Sequence, residues 1–429
     1  MFPNPPVILP PDPDPAPDIP PPPQPSHRRA LGSGLLAAML AGLSMLGPFS
    51  IDAYLPAFPA IQTSLQASPL EVQQSLTFYM LSFSVMVLWH GALSDAFGRR
   101  NVVLVALVTF AIGTLGCAAS HTVHYLWAFR ALQGVSAGAG VVVGRAIIRD
   151  LYADAAAARL LSMVTMIFSI APAIAPVAGG WIVKLLDWRA IFLFLFGYTV
   201  LLFVLCYRRL PETLPPHKRQ PFNPRYLMRN YGQVFRSPLF HLKSGVVALN
   251  FAGLFVYITA APVLLPVHLG LGPDQFAWLF LPAVSGIFLG ALAANRVAGR
   301  ISFSRQIGIG FCFLLAASIF NVCYHLWLPP ALPWTVAPMF VYTFGMSMVA
   351  PGATLLALDL FPHIRGTVAS CQSFASTLLA ALVAGVIAPF LSHSVLWLAA
   401  GQMAFSASAL VLWLTSRAYR SMLLRHPAR

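Results

Sequence analysis

From residue 31 onward the chain is dominated by long apolar runs separated by short polar connections. The runs fall at roughly 31–57, 71–93, 101–119, 126–149, 159–184 and 190–207, and then at 243–268, 275–294, 304–325, 334–357, 366–391 and 394–416. Each approaches the ~20 residues that an α-helix needs to cross ~30 Å of hydrocarbon. Only helices satisfy every backbone N–H and C=O within such a segment, so the pattern predicts an all-α polytopic membrane protein with twelve spans. The first six occupy 31–207 and the last six 243–416, two stretches of nearly equal length that predict two six-helix halves. A polar, proline-containing linker at 208–242 separates them and has room for one surface helix. Residues 1–30 hold 13 prolines and no apolar core of the signal-peptide kind, which predicts a solvated cytoplasmic tail. Residues 417–429 form a short basic tail.

Composition agrees with lipid as the solvent: 58% of residues are hydrophobic and 9% charged, against ~25% charged in soluble domains. The net charge of +14 raises the question of a nucleic-acid partner, but its distribution answers against one. Of the 26 lysines and arginines, 23 lie at the termini or in every second connection. Arg28, Arg29, Arg99, Arg100, Arg145, Arg149, Arg159, the linker cations, Arg296, Arg300, Arg305, Arg365 and the C-terminal arginines share one side, whereas the connections at 58–70, 120–125, 269–274, 326–333 and 392–393 have none. The positive-inside rule then places both termini in the cytoplasm and the chain in the inner (plasma) membrane. Lys184 and Arg189, in the 5–6 connection, and Arg130, inside span 4, are the exceptions. The five cysteines lie inside apolar runs without CxxC spacing and are expected to be packing residues.

Several short motifs punctuate the runs. Span 2 ends in Gly91-Ala-Leu-Ser-Asp95-Ala-Phe-Gly98-Arg99-Arg100, span 1 contains Asp52-Ala-Tyr54-Leu55-Pro56-Ala-Phe-Pro59, and span 4 contains Arg130-Ala-Leu-Gln133-Gly134. Span 5 contains Ala171-Pro172 and Ala175-Pro176-Val-Ala-Gly179-Gly180, and span 11 begins with Gly366-Thr367-Val-Ala-Ser370. Asp95 beside two guanidiniums can make charge-assisted bonds in one arrangement of helix ends and lose them in another. Pro172 and Pro176 free backbone carbonyls, and Gly179 and Gly180 allow close helix packing. Gly134-Val-Ser136-Ala-Gly138 matches a hydrolase elbow, but that elbow needs a preceding strand; here Gly134, Gly138, Gly140 and Gly144 read as a packing groove. His121 and His124 lack the further ligands of a metal site, and no cofactor motif is visible. His90 and His325 receive no role.

Asp52 is the most informative residue. An ionised carboxylate in hydrocarbon costs ~3 kcal/mol or more, so such residues face a cavity or a partner. Arg130 lies at a similar depth, ~8 Å from the outer end of its span at 1.5 Å per residue, and is the expected partner. Burial disfavours the carboxylate and a neighbouring guanidinium favours it. A helix movement that separates the two would therefore let Asp52 take up a proton near neutral pH.

In order and spacing these motifs resemble those of the major facilitator superfamily, and Asp52 to Pro59 is similar to a motif of its bicyclomycin and chloramphenicol resistance (Bcr/CflA) branch. The likeness covers residues 31–416. Two positions depart from the pattern: Ala96, where the loop signature usually has arginine, and Ala92, where the branch usually has proline. The resemblance implies a major facilitator fold, two pseudo-symmetric bundles rocking about a cavity lined by spans 1, 4, 7 and 10. It also implies proton-coupled antiport that exports drugs or other small organic molecules, with span 5 as the antiport hinge. Proton coupling is assigned to Asp52 and Arg130, the gating loop to Gly91, Asp95, Gly98, Arg99 and Arg100, and the antiporter motif to Pro172, Pro176, Gly179 and Gly180. Tyr54, Gln133, Asn250, Phe255 and Tyr257 are the polar or aromatic candidates for the cavity. The expected partners are a small-molecule substrate, protons and the bilayer around a monomer. The alternatives are an exporter of an endogenous metabolite such as an amino acid or short peptide, a proton-coupled importer, and a polytopic membrane enzyme. The last lacks any catalytic pair of ionisable groups within the spans.

Overall fold

The computed structural model describes residues 33–425. The proline-rich segment expected as a tail and the last four residues lie outside the described residues. Twelve helices long and apolar enough to cross a membrane follow one another. Spans 1 to 6 are Gly34–Leu65, Pro69–Phe97, Arg99–Ala118, Val123–Leu151, Ala156–Leu185 and Arg189–Arg209. Spans 7 to 12 are Pro238–His268, Pro273–Val297, Phe303–Trp327, Ala337–Leu358, Pro362–Leu391 and Val395–Tyr419. The described ends of the chain and the 6–7 linker fall at one end of the molecule, here the near end; the other is the far end.

Local chemistry sets where these helices start. Ser68 caps span 2 by accepting from the Glu71 N–H, while the Glu71 carboxylate accepts from the Ser68 N–H at 2.8 Å. Thr122, Ser237 and Ser302 cap spans 4, 7 and 9 with their hydroxyl oxygens alone, accepting from the Tyr125, Phe240 and Arg305 N–H, and proline follows Ser68 and Ser237 at the first helical position. The predicted connection at 58–70 is corrected, because Phe58–Leu65 is helical. Pro59 opens that helix in its first turn, where a missing N–H costs nothing. The linker is also shorter than 208–242, since span 6 runs to Arg209 and span 7 starts at Pro238. Within it a helix spans Pro224–Phe235, capped by Asn223. The last helix continues to Arg425, so the basic tail begins as a helical extension.

Each half buries its small residues where helices cross. A Cβ at Gly134 or Gly140 would overlap the backbone carbonyls of Tyr79 and Leu43, so span 4 packs directly on spans 2 and 1. Gly144 has no such neighbour and is not part of that groove. Cys117, Cys206 and Cys371 are buried as expected, whereas Cys312 and Cys323 lie on exposed faces. The halves meet where span 2 packs on span 11 and span 5 on span 8. The linker helix inserts Tyr231 and Val234 into a small second core with Phe240 and Val368, and the Tyr231 hydroxyl donates to the Leu88 carbonyl.

Lys184 and Arg189, the far-side exceptions to the charge pattern, each find an aspartate. Lys184 Nζ lies 2.9 Å from Asp274 Oδ2, across the boundary between the halves. Arg189 pairs with Asp187 at 3.2 Å, donates to the Ser120 carbonyl and stacks over Trp188.

Candidate functional site

Span 1 is not one continuous helix. Its first segment, Ser33–Asp52, stops at the aspartate, a short 3-10 turn covers Leu55–Ala57, and Phe58–Leu65 resumes. Pro56 and Pro59 lack the N–H groups that would bond the carbonyls four residues earlier, so the ladder opens at Asp52 and Leu55. A broken helix in mid-span is where irregular backbone borders a cavity or protein rather than lipid.

Arg130 hangs from span 4 into this break with no exposed surface. Its Nη1 donates to the Ser50 carbonyl at 3.0 Å, to Ser50 Oγ at 2.9 Å and to Gln133 Oε1 at 2.9 Å. The guanidinium lies between two aromatic faces, 4.6 Å from the Tyr54 centroid and 4.4 Å from that of Tyr79. Desolvated cation–π contacts of this kind are worth ~2 kcal/mol each, and here they stand in place of a counter-ion. Gln133 extends the network by donating to Thr114 Oγ1 at 2.8 Å, and Tyr54 bonds Ser75 at 2.8 Å. Spans 1, 2, 3 and 4 are thereby joined in one buried polar layer. Arg130 Nε and Nη2 retain no hydrogen-bond partner.

Asp52 is also buried, at 5% exposure. The expected ion pair with Arg130 is corrected: among the described residues Asp52 has no salt bridge or side-chain hydrogen bond. The reason is helical phase. Ser50 and Tyr54, four apart, share the face that receives Arg130, and residue 52 lies about 200° around the helix from residue 50. Depth alone matched the two residues; azimuth separates them in this conformation.

The five cavity candidates are all buried. Tyr54 and Gln133 belong to the Arg130 layer, and Tyr257 is turned into its own half, its hydroxyl accepting from Asn321 Nδ2 of span 9 at 2.6 Å. Phe255 packs on Phe251 with centroids 4.9 Å apart. Asn250 is the exception, since both Nδ2 and Oδ1 are buried without a hydrogen-bond partner from the described residues.

At the near end Arg99 organises the loop between spans 2 and 3. It is 8% exposed, bonds Asp95, donates to Ser94 Oγ at 2.6 Å and pairs through Nε with Asp150 of span 4 at 3.1 Å. Its backbone N–H donates to Glu212 Oε1 at 2.9 Å, and Arg100 donates to the Tyr207 carbonyl at 2.6 Å. Gly98 has φ of +95°, and the Glu212 carboxylate occupies the place of a Cβ, so only glycine fits. Gly91 differs, because a Cβ there would come only into ordinary contact with Val142. Asp150, at the end of span 4, and Glu212, in the linker, complete the loop cluster, and Glu212 carries no sequence signal.

Span 5 passes between the halves. The absent Cβ of Gly179 would strike the Ala53 carbonyl, next to Asp52, and that of Gly180 would strike the Pro273 carbonyl at the start of span 8. Pro172 and Pro176 lie within the continuous helix Asp154–Leu185. The far end is closed by these contacts, by Lys184–Asp274, and by Gln74 Nε2 of span 2 donating to the Gly385 carbonyl of span 11 at 2.9 Å.

The sequence profile of the Major Facilitator Superfamily matches residues 34–384. The chain is 30% identical to multidrug resistance protein D of Escherichia coli (strain K12) over 81% of its length and 88% of that protein. It is 27% identical to a bicyclomycin resistance protein homolog of Haemophilus influenzae, covering 76% of this chain and 81% of the relative. The crystal structure of a D-xylose–proton symporter superposes with a TM-score of 0.65 at 18% identity, over 89% of this chain and 97% of that one, and shares the fold. With its twelve spans, its loop cluster around Arg99 and its split first helix, the chain belongs to the major facilitator superfamily, within the bicyclomycin and chloramphenicol resistance branch.

Proposed function

We propose that the chain is a proton-coupled antiporter that exports small organic molecules, drugs among them, from the cytoplasm by alternating access. The relatives named for bicyclomycin and multidrug resistance support export of this substrate class. The observation that carries the coupling is Asp52, a buried carboxyl without a partner at the break in span 1. An ionised carboxylate held there costs several kcal/mol, so its charge is the one that changes as the site is exposed to water on either side. Each proton returned brings ~2.3 kcal/mol per 100 mV of membrane potential. Arg130, held by Ser50, Gln133, Tyr54 and Tyr79 rather than by a carboxylate, supplies a fixed positive charge in the same half.

In this reading the near end is cytoplasmic, with both termini and the Arg99 loop inside, and the far end is periplasmic and closed. Substrate enters the cavity from the near side, with Asn250 the polar contact of span 7. The working unit in this reading is the monomer, because spans 1, 4, 7 and 10, which would line the transport path, all come from one chain. In acid-interior everted vesicles carrying the full chain, Asp52→Asn is expected to abolish gradient-driven uptake of bicyclomycin or chloramphenicol while the melting temperature stays unchanged. Gradient-driven uptake equal to that of the unaltered protein would remove Asp52 from the coupling.

A further inference from the structure

Spans 2 and 3 both lie along span 4 and touch each other far less than either touches it. The groove left between them becomes, toward the near end, a crevice of about 550 Å³. Met86, Leu93 and Phe97 form one wall, Val105 and Ala106 the other, and Val135 and Ser136 of span 4 the floor. Phe97 and Val105 are 55% and 66% exposed, so the crevice opens sideways on the outer face of the bundle, where lipid lies. Its volume is within the ~300–1,000 Å³ of small-molecule sites. From Asn101 to Thr109 it follows the helix for ~12 Å.

Three features distinguish it from a groove filled by lipid tails. His90 borders it at 3% exposure; its ring bonds the Val135 backbone, and Nδ1, packed near Gly138, has no hydrogen-bond partner, an acceptor deficit that a ligand's O–H or N–H would relieve. Arg219 of the linker reaches the cytoplasmic mouth, held beside Glu212 at 3.7 Å. Ala96 lines the same mouth. It stands where the superfamily's loop signature usually has arginine, and a side chain of that length would overhang the opening that a methyl leaves free.

We propose that this crevice is a second ligand site, separate from the central cavity, for an elongated amphipathic small molecule arriving through the inner leaflet. The apolar body lies between spans 2 and 3, one hydrogen-bonding group meets His90, and an acidic or acceptor group at the other end meets Arg219. Glu212 already joins the linker to the Arg99 backbone, so an occupant bonded to Arg219 ties span 2, span 3 and the linker together at the gating loop. The membrane leaflet rests on the orientation proposed above; the site itself does not.

The test uses 4-(4-hydroxybenzoyl)benzoate, whose phenol O–H can donate to His90 Nδ1 and whose carboxylate can accept from Arg219, photolysed with the purified full chain in phosphatidylcholine nanodiscs. Peptide mass mapping is expected to show saturable labelling of spans 2 and 3 around Met86. Ala96→Arg, which restores the longer side chain at the rim, and Ala106→Phe, which fills the middle, are expected to lower labelling about tenfold, and His90→Leu roughly threefold. Melting temperatures identify any variant that fails to fold; if Ala106→Phe does, Ala96→Arg decides. Labelling that rises linearly with probe and is the same in every variant overturns the site. Labelling that saturates in phosphatidylcholine but is lost in phosphatidylglycerol makes it a phospholipid seat and overturns the small-molecule assignment. Because photolabelling needs no gradient, it is independent of the Asp52→Asn result.

Discussion

A buried arginine without a carboxylate partner is the residue-scale feature that sets the chemistry of the first half. Arg130 is held by one backbone carbonyl, two side-chain oxygens and two aromatic faces. That arrangement uses the planarity of the guanidinium, which stacks and donates at once, and an ammonium cannot reproduce it. Arg130→Lys keeps the charge and loses the sandwich, so transport is expected to fall by about tenfold or more in a protein that still elutes as a folded monomer. Transport within a factor of about two of the unaltered rate would show that charge alone suffices. Tyr79 is the contributor that sequence could not reveal, since nothing in its neighbourhood marks it, whereas Arg130 and Asp52 stand out because ionisable groups are costly inside a span.

At the scale of elements, span 5 joins the two halves at the far end. Its adjacent glycines touch opposite halves, Gly179 against Ala53 and Gly180 against Pro273, and one turn later Lys184 crosses to Asp274. The pair is partly exposed, with side chains 50% and 22% accessible, so its hold on the far end is modest and screened by solvent. Lys184→Ala should then shift the closed-to-open ratio about two- to fivefold. Spin labels at Leu70 and His393, read by double electron–electron resonance, are expected to show a larger long-distance population. The charge swap Lys184→Asp with Asp274→Lys should restore the original distribution; a swap no better than the single change would mean that the pair does not hold the gate.

Across the whole molecule, the linker is a strap. Glu212 accepts from the Arg99 backbone in the first half, Arg219 pairs with Glu212, and the helix Pro224–Phe235 packs its Tyr231 side against spans 2 and 11. Glu212→Gln removes the ion pair and weakens the bond to Arg99, a loss of ~0.5–1 kcal/mol that opens the segment about two- to fivefold more often. Trypsin cleavage after Lys218 or Arg219 is expected to accelerate by that factor in everted vesicles and to be absent in right-side-out ones. Cleavage only in right-side-out vesicles would reverse the membrane orientation proposed here.

The sequence by itself determined the twelve spans, the two halves and the side that carries the basic residues, because hydrocarbon thickness and the cost of charge act on each segment independently of its neighbours. It also marked Asp52, Arg130, Gly98, Gly179 and Gly180, whose residue types are unusual for their surroundings. Helix phase and packing partners were decided only by the tertiary structure. Asp52 and Arg130 share a depth but not a face, Tyr54 and Tyr257 turn into their own halves, and Lys184, a topological exception in sequence, becomes a bridge between halves. These outcomes depend on how helices rotate about their own axes when packed, and the apolar periodicity of a membrane span, uniform around the helix, carries little of that information.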